Sequence, residues 1–413
     1  MRLFLPLLLL AVLTGCPVQT PAPDRSGPLT FTVTFVDDPG GADLEAPLPF
    51  DVDGTELRVS IEAIGYDREV MEDFTATIAL KATPAQLLSA PFVLVENGRA
   101  NATVTIARGF GAVRLWASDE GTDESPGSFA TGVSRAIHYD LPTVREAQET
   151  TATTTSPMQD SYIHIRGWDA EHPDPRDLRV TAVTNDGFYV TDLSDPSGSY
   201  NSLFAFSFSR PDGIEEGMRL ERLSGIIEEF LGFTELAFPD WEVAEALEVP
   251  PIEILDPSIV CDSPAMEAWE SSIVTVEHIV SDFGGQDCLD YEQYGQWPAE
   301  FVDKKTLEPL ECGGGSARIN VVNINTVPGY TFDCDGLGRP DDRYLRYLTG
   351  ILRHNEFASP SWILEVRDCM DFPPEERPVD CVDQLRLPLT GPRKAPQPHY
   401  RDIPTCEGHP TSR

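Results

Sequence analysis

The chain is short of positive charge. Its 413 residues carry 30 Lys+Arg against 68 Asp+Glu, a formal net charge of −38. Such an excess keeps a protein soluble and repels polyanions, whereas nucleic-acid binders show a basic face. The densest basic run is Lys304-Lys305, too small to make one. Long apolar runs are scarce too: past residue 16 none approaches the ~20 residues that cross a bilayer as a helix. The common catalytic motifs are missing. There is no Gly-x-Ser-x-Gly elbow and no His-Glu-x-x-His pair, and no lysine follows Gly313-Gly-Gly-Ser316 to make a phosphate loop. No Cys-x-x-Cys and no spaced Cys/His set offers zinc a site. What is abundant is Pro (36) and Gly (31), between short alternating β-branched runs. That pattern predicts a mainly β protein.

The amino terminus reads as an address. Residues 1–16, MRLFLPLLLLAVLTGC, place Arg2 before a short apolar run that ends Leu13-Thr14-Gly15-Cys16. This is a secretory signal, and its ending resembles the bacterial lipoprotein lipobox. The resemblance implies cleavage before Cys16, lipidation of Cys16, and a membrane anchor made of lipid alone. Residues 17–28 form a Pro-rich tether. Pro17 stands where an Asp holds some lipoproteins at the inner membrane, so the expected location is the outer membrane.

Residues 29–142 hold about six alternating strands separated by Gly-rich turns, which predicts an antiparallel sandwich. The stretch Val95–Ile106, followed by Gly-Phe-Gly and Val113–Ala117, resembles bacterial immunoglobulin-like surface domains, and that resemblance implies a spacer. Trp116 is expected in its core. The acidic loop Asp119–Glu124 is either solvated or a calcium loop. Residues 143–177 read as a linker, Thr-rich up to Pro157, and His164 and His172 there lack partners at metal-ligand spacing.

Residues 178–250 form the most informative stretch. Arg179–Thr184, an Asn185-Asp-Gly187 turn, Phe188–Asp192, Leu203–Phe208, Met218–Glu229 and Gly232–Phe238 give five short strands, which suits a five-stranded Greek-key barrel of the OB type. The runs TAVTNDGFYVTD, GSYNSLFAF and IEEGMRLERLSGIIEEFLGFTEL resemble the OB-fold module attached to bacterial extracellular nucleases. The resemblance implies a binding module, since the nuclease chemistry of that family sits in a separate domain. Tyr189, Tyr200, Phe230, Phe233 and Trp241 are the candidate stacking residues. The basic groove is missing: residues 178–245 hold 13 Asp+Glu and 4 Lys+Arg. Phe204, Phe206 and Phe208 are expected in the core. Asp192 and Asp195, beside a Pro-Ser-Gly turn, serve either calcium or the turn itself.

Residues 258–385 resemble a second, diverged OB-like unit. Arg343-Tyr-Leu-Arg-Tyr-Leu-Thr-Gly-Ile-Leu352 repeats the pattern of the earlier fourth strand, Met218–Ile227. Cys261, Cys288, Cys312, Cys334, Cys369, Cys381 and Cys406 lie here or in the Pro-rich tail 386–413. In an exported chain they predict disulfides with one thiol left over, in a pairing that spacing does not fix. Asp333, Asp335 and Asp341 partly match a calcium loop without its closing Glu. Calcium is thus the one cofactor left open. His278 and His354 read as ordinary barrel residues.

Taken together, the sequence predicts a non-enzymatic, lipid-anchored cell-envelope protein that binds or scaffolds protein or glycan. The alternative is a single-stranded nucleic-acid-binding accessory of an extracellular nuclease system.

Overall fold

A computed structural model of the chain describes residues 27–121, 127–149, 155–282, 291, 295–312, 315–323, 326–327, 330–332, 343–356, 360–378 and 381. Cys16, Cys288, Cys334, Cys406, Asp333, Asp335, Asp341, residues 17–26 and the tail 386–413 lie outside them. The chain is mainly β and divides into two compact units, residues 1–138 and 139–413. Among the described residues no helix is long and apolar enough to cross a membrane.

The first unit has two antiparallel sheets. One joins β1 (Thr30–Phe35), β2 (Thr55–Ile64), β6 (Arg99–Ala107) and β4 (Gln86–Leu87). The other joins β5 (Phe92–Val95), β3 (Ala76–Thr83), β7 (Gly111–Ser118) and β8 (Thr131–Val133), and β9 (Ile137–Tyr139) also pairs with β7. Alternate residues point inward, as the two-residue period of a strand requires: Leu57, Val59, Ile61 and Ala63 of β2 are all buried. The same period corrects the expectation for Trp116. Val113, Leu115 and Ala117 take the inner face of β7, so Trp116 faces outward and is 43% exposed. Asp119, expected in a solvated or calcium loop, is buried and accepts hydrogen bonds from the Ser128 N–H (2.8 Å) and hydroxyl (2.6 Å). Residues 122–124 of that loop lie outside the described residues.

The second unit begins with two elements in the stretch expected to be a linker. Helix α1 (Val144–Gln148) starts at a capping box, Thr143 with Glu146, and buries Val144 and Ala147. Strand β10 (Tyr162–Arg166) pairs with β14 (Met218–Phe230). His164 therefore belongs to a sheet, and His172 Nε2 stands 3.4 Å from Asp140.

Two closed five-stranded barrels follow. In the first, β11 (Leu178–Val183), β12 (Gly187–Asp192), β13 (Ser202–Phe206), β15 (Phe233–Ala246) and β14 pair in that order, and β14 returns to β11. All pairings are antiparallel except β13 with β15. The fifth strand runs on to Ala246, beyond the expected end at Phe238. Leu178, Val180, Phe188, Leu203, Leu223 and Ile227 fill the interior.

A short strand, β16 (Glu253–Ile254), and a helix, α2 (Ser263–Glu267), connect to the second barrel. There β17 (Ile273–Ser281), β18 (Gln296–Phe301), β21 (Arg318–Val322), β23 (Trp362–Glu365) and β22 (Tyr344–His354) repeat the same order. The parallel pair is again third with fifth, β21 with β23. A two-stranded hairpin, β19 (Glu311–Cys312) with β20 (Gly315–Ser316), is inserted after β18. Trp297 is fully buried and donates its indole N–H to Asn323 Oδ1 (2.8 Å). Disulfides join Cys261 to Cys312 and Cys369 to Cys381.

Candidate functional site: the junction between the barrels

The five aromatics expected to contact a ligand do not share one exposed face. Tyr189 and Phe233 are each 1% exposed. Tyr189 stacks on Phe204, with ring centroids 4.5 Å apart, and Phe204 lies 5.9 Å from Phe233. The cluster takes in Ala182 of the first barrel and is closed by Ile351, with Ile273 packed against it, both from the second. These two aromatics are therefore an inter-barrel core, which corrects the expectation of a contact surface. Burial pushes the Tyr189 phenol well above its usual range.

The surrounding backbone is tied across the same junction. Tyr200, half-buried, donates its N–H to the Ala268 carbonyl (2.8 Å). Ser272 and Ser202 hydroxyls meet at 3.1 Å. Glu356 N–H donates to the Leu231 carbonyl (2.9 Å), and His354 Nδ1 faces the Gly232 carbonyl (2.9 Å). Gly198, at φ +70°, lies flat against the Trp269 indole; a Cβ there would come within 2.2 Å of the ring. Any other residue would lift the β12–β13 loop off the connector that leads into the second barrel.

Three carboxyls gather at one edge of the junction, Glu267 and Glu270 buried and Glu229 half-buried. Glu229, at the end of β14, accepts from the Ser156 N–H (2.7 Å) and the Thr234 hydroxyl (2.9 Å). Glu270 accepts from the Thr234 N–H (3.1 Å). Glu267 lies 3.9 Å from His354 Nδ1. Burial, then the charge of Glu229, pushes Glu267 up to about 8. Burial, then the charge of Glu267, pushes Glu270 well above the carboxylate range, and burial also raises Glu229. Neighbouring Glu235 is pushed by burial up to about 7, with Arg353 opposing.

Other expected sites resolve differently. Asp192 is fully buried and takes Arg176 Nε at 2.8 Å, and Asp195 takes another nitrogen of the same guanidinium. Both carboxylates are thus committed to an arginine, which corrects the calcium alternative. Burial still raises Asp192, against the pull of Arg176. His278 meets the Tyr344 hydroxyl (2.6 Å) at the start of β22, while His354 ends that strand, so the two do not meet. The cavity at the junction, lined by Thr181, Asn201, Trp269 and Arg367 among others, holds about 60 Å³. That is room for about two waters, well below a small-molecule pocket.

An exposed aromatic ridge remains. Phe206 leads to Phe208, with centroids 4.3 Å apart, and Phe208 to Phe238 at 4.8 Å. Phe208 is 57% and Phe238 62% exposed, so Phe208 leaves the core stripe expected of it. Both have positive φ, 61° and 53°, a conformation uncommon for aromatic residues. Phe230 is also exposed, whereas Trp241 is half-buried against Phe188 (5.1 Å, edge to face). Nothing in the sequence marked Phe238, because it follows strand residues of the same apolar character.

No protein-family model matches the chain, and no curated protein matches it. Among solved structures it is similar to dimeric latent PorU from Porphyromonas gingivalis, at 9% identity and a TM-score of 0.18. That alignment covers 82% of this chain and 34% of the other, so the chain spans about a third of that protein's length. A likeness at this level carries no inference about fold or activity.

Proposed function

We propose that the chain is a non-enzymatic cell-envelope lipoprotein, anchored through Cys16, that docks a protein partner on a rigid pair of OB-fold barrels. In this reading residues 29–142 are an immunoglobulin-like spacer. The OB assignment is supported by the strand order, first-second-third-fifth-fourth and back to first, with third and fifth parallel in both barrels. OB-folds bind oligomers on the face of the second and third strands and at the loop between the fourth and fifth. In the first barrel that region holds Tyr189, Phe204 and the Phe230–Phe233 turn, and most of it is covered by the second barrel.

The observation that carries the reading is the exposed pair Phe208 and Phe238, which half-buried Phe206 joins to the covered face. Clustered exposed aromatics mark interaction surfaces. Phenylalanines lack the polar edge that sugar binding uses, and the local negative charge disfavours nucleic acid, so a protein is the favoured partner over glycan or single-stranded DNA.

The test is a capture assay with the intact chain and its Phe208→Ser/Phe238→Ser variant, against solubilised envelope proteins, cell-wall glycan and single-stranded DNA. Retention of a protein by the wild type and its loss in a folded variant is expected. Equal retention by both, or retention of glycan or DNA alone, contradicts the reading.

A further inference from the structure

The carboxyl cluster at the junction plays no part in docking on the ridge. Glu267 ends α2, and Glu270 stands one turn on, its N–H donating to the Glu267 carbonyl (3.1 Å). That three-residue spacing sets both carboxyls on one side of the turn. His354 ends β22 and reaches the same place from the second barrel's sheet. One ligand atom from each of the three lies within 4.8 Å of the other two.

Each of the two carboxyls keeps one oxygen unsatisfied. Glu267 and Glu270 are 3% and 2% exposed. Glu267 Oε2 and Glu270 Oε1 have no hydrogen-bond partner among the described residues, and Glu229 Oε2 is a third such oxygen. A buried carboxyl oxygen without a donor is costly, and a bound ion is one way to satisfy it. Arg353 is committed elsewhere: it bonds Glu365 (2.8 Å) and lies over the Phe233 ring.

We propose that Glu267, Glu270 and His354 bind one divalent transition-metal ion of the zinc class, which fastens the connector to the second barrel. Two carboxylates and one imidazole form a mixed oxygen–nitrogen set. The imidazole argues against calcium, whose sites are built from oxygen, and suits zinc. With metal–ligand bonds of about 2.0–2.2 Å, adjacent ligand atoms stand about 3.4 Å apart. Rotation of two glutamate side chains spans the difference. Nδ1 is the His354 nitrogen that faces Glu267 (3.9 Å), so ligation there exchanges its contact with the Gly232 carbonyl (2.9 Å) for the metal. Glu229 is the remaining carboxylate at hand for a fourth position. Each ligating carboxyl releases any proton it holds to solvent. The site stands whether or not the phenylalanine ridge binds a partner.

Zinc titration of the chelator-treated chain by calorimetry tests the proposal, alongside the Glu267→Gln/Glu270→Gln variant. The wild type is expected to take one equivalent. The variant should bind at least about tenfold more weakly, and zinc should raise the melting temperature of the wild type alone. No uptake by the wild type, or equal uptake by both proteins, overturns it. Should the variant fail to fold, the cobalt-substituted wild type gives a second readout. Ligand-field bands without thiolate charge transfer support the site, and a thiolate band assigns the metal to cysteines and overturns it.

Discussion

Arg353 of the second barrel lies over the ring of Phe233 of the first, its guanidinium carbon 4.7 Å from the centroid. Phe233 closes the β14–β15 turn, where an aromatic next to exposed Phe230 looks from sequence like a ligand contact. The structure uses it as a keystone between barrels. Phe233→Ala should therefore cost about 3–5 kcal/mol, the usual range for a buried phenylalanine. Phe230→Ala should stay within about 0.5 kcal/mol, as exposed substitutions do. Urea unfolding of the two variants checks the contrast; equal effects would contradict it.

Matching glycines mark the fourth strand of each barrel. A Cβ on Gly225 would stand 2.7 Å from the Ala237 carbonyl oxygen, and one on Gly350 2.7 Å from that of Glu365. Each would also press on the leucine one residue before that carbonyl, Leu236 or Leu364. Gly225→Ala and Gly350→Ala should each destabilise by about 1–3 kcal/mol, the cost of overpacking. Thermal melts read this, and an unchanged midpoint in either would show that the strands do not cross that closely.

Stability should fall as pH rises through the weakly acidic range, and Glu235 is the cleanest probe. Its carboxyl is pushed from 4.5 up to about 7, by burial and then by the charges of Glu228, Asp186 and Glu229, against Arg353. Below pH 4.5 it is protonated in both folded and unfolded chains, and its neutral burial favours the fold fully. Between about 4.5 and 7 only the folded chain holds the proton, so stability drops by up to about 1.4 kcal/mol per pH unit. Above 7 the loss is complete, on the order of 3 kcal/mol. Glu235→Gln should remove this part of the slope. Urea unfolding of both proteins at pH 4.5 and 7.5, with chelator present, measures the difference; parallel slopes would contradict it.

The two disulfides should contribute unequally. Cys261–Cys312 closes a separation of 51 residues and Cys369–Cys381 one of 12. Loop-closure entropy assigns them about 4 and about 3 kcal/mol. Paired Cys→Ser variants, unfolded in denaturant, should rank in that order, and a reversed ranking would show that native contacts outweigh chain entropy.

Much of the architecture was legible because strands write themselves with a two-residue period. Leu178–Asp192 predicted its own hairpin, and Ser224-Gly225-Ile226 and Thr349-Gly350-Ile351 announced the repeat. Trp116 faces outward against expectation because periodicity fixes which residues alternate but not which set faces inward. Thr143-x-x-Glu146 is a capping box that the Thr-rich run after it obscured. Tyr189 and Phe233 read as ligand contacts, since an aromatic in a half-buried strand looks the same whether a ligand or Ile351 covers it. Likewise, Glu267 and Glu270 meet His354 only through a fold that joins residues more than eighty positions apart; the local signal was the helical Glu pair alone.

The second barrel covers Tyr189 and Phe233, the expected contact residues of the first. Hydroxyl-radical footprinting of the intact chain reads this at single residues, with Phe208 and Phe238 as exposed references. Slow labelling of Tyr189 and Phe233 and fast labelling of the two references is expected. Labelling of Tyr189 and Phe233 as fast as Phe208 would contradict it.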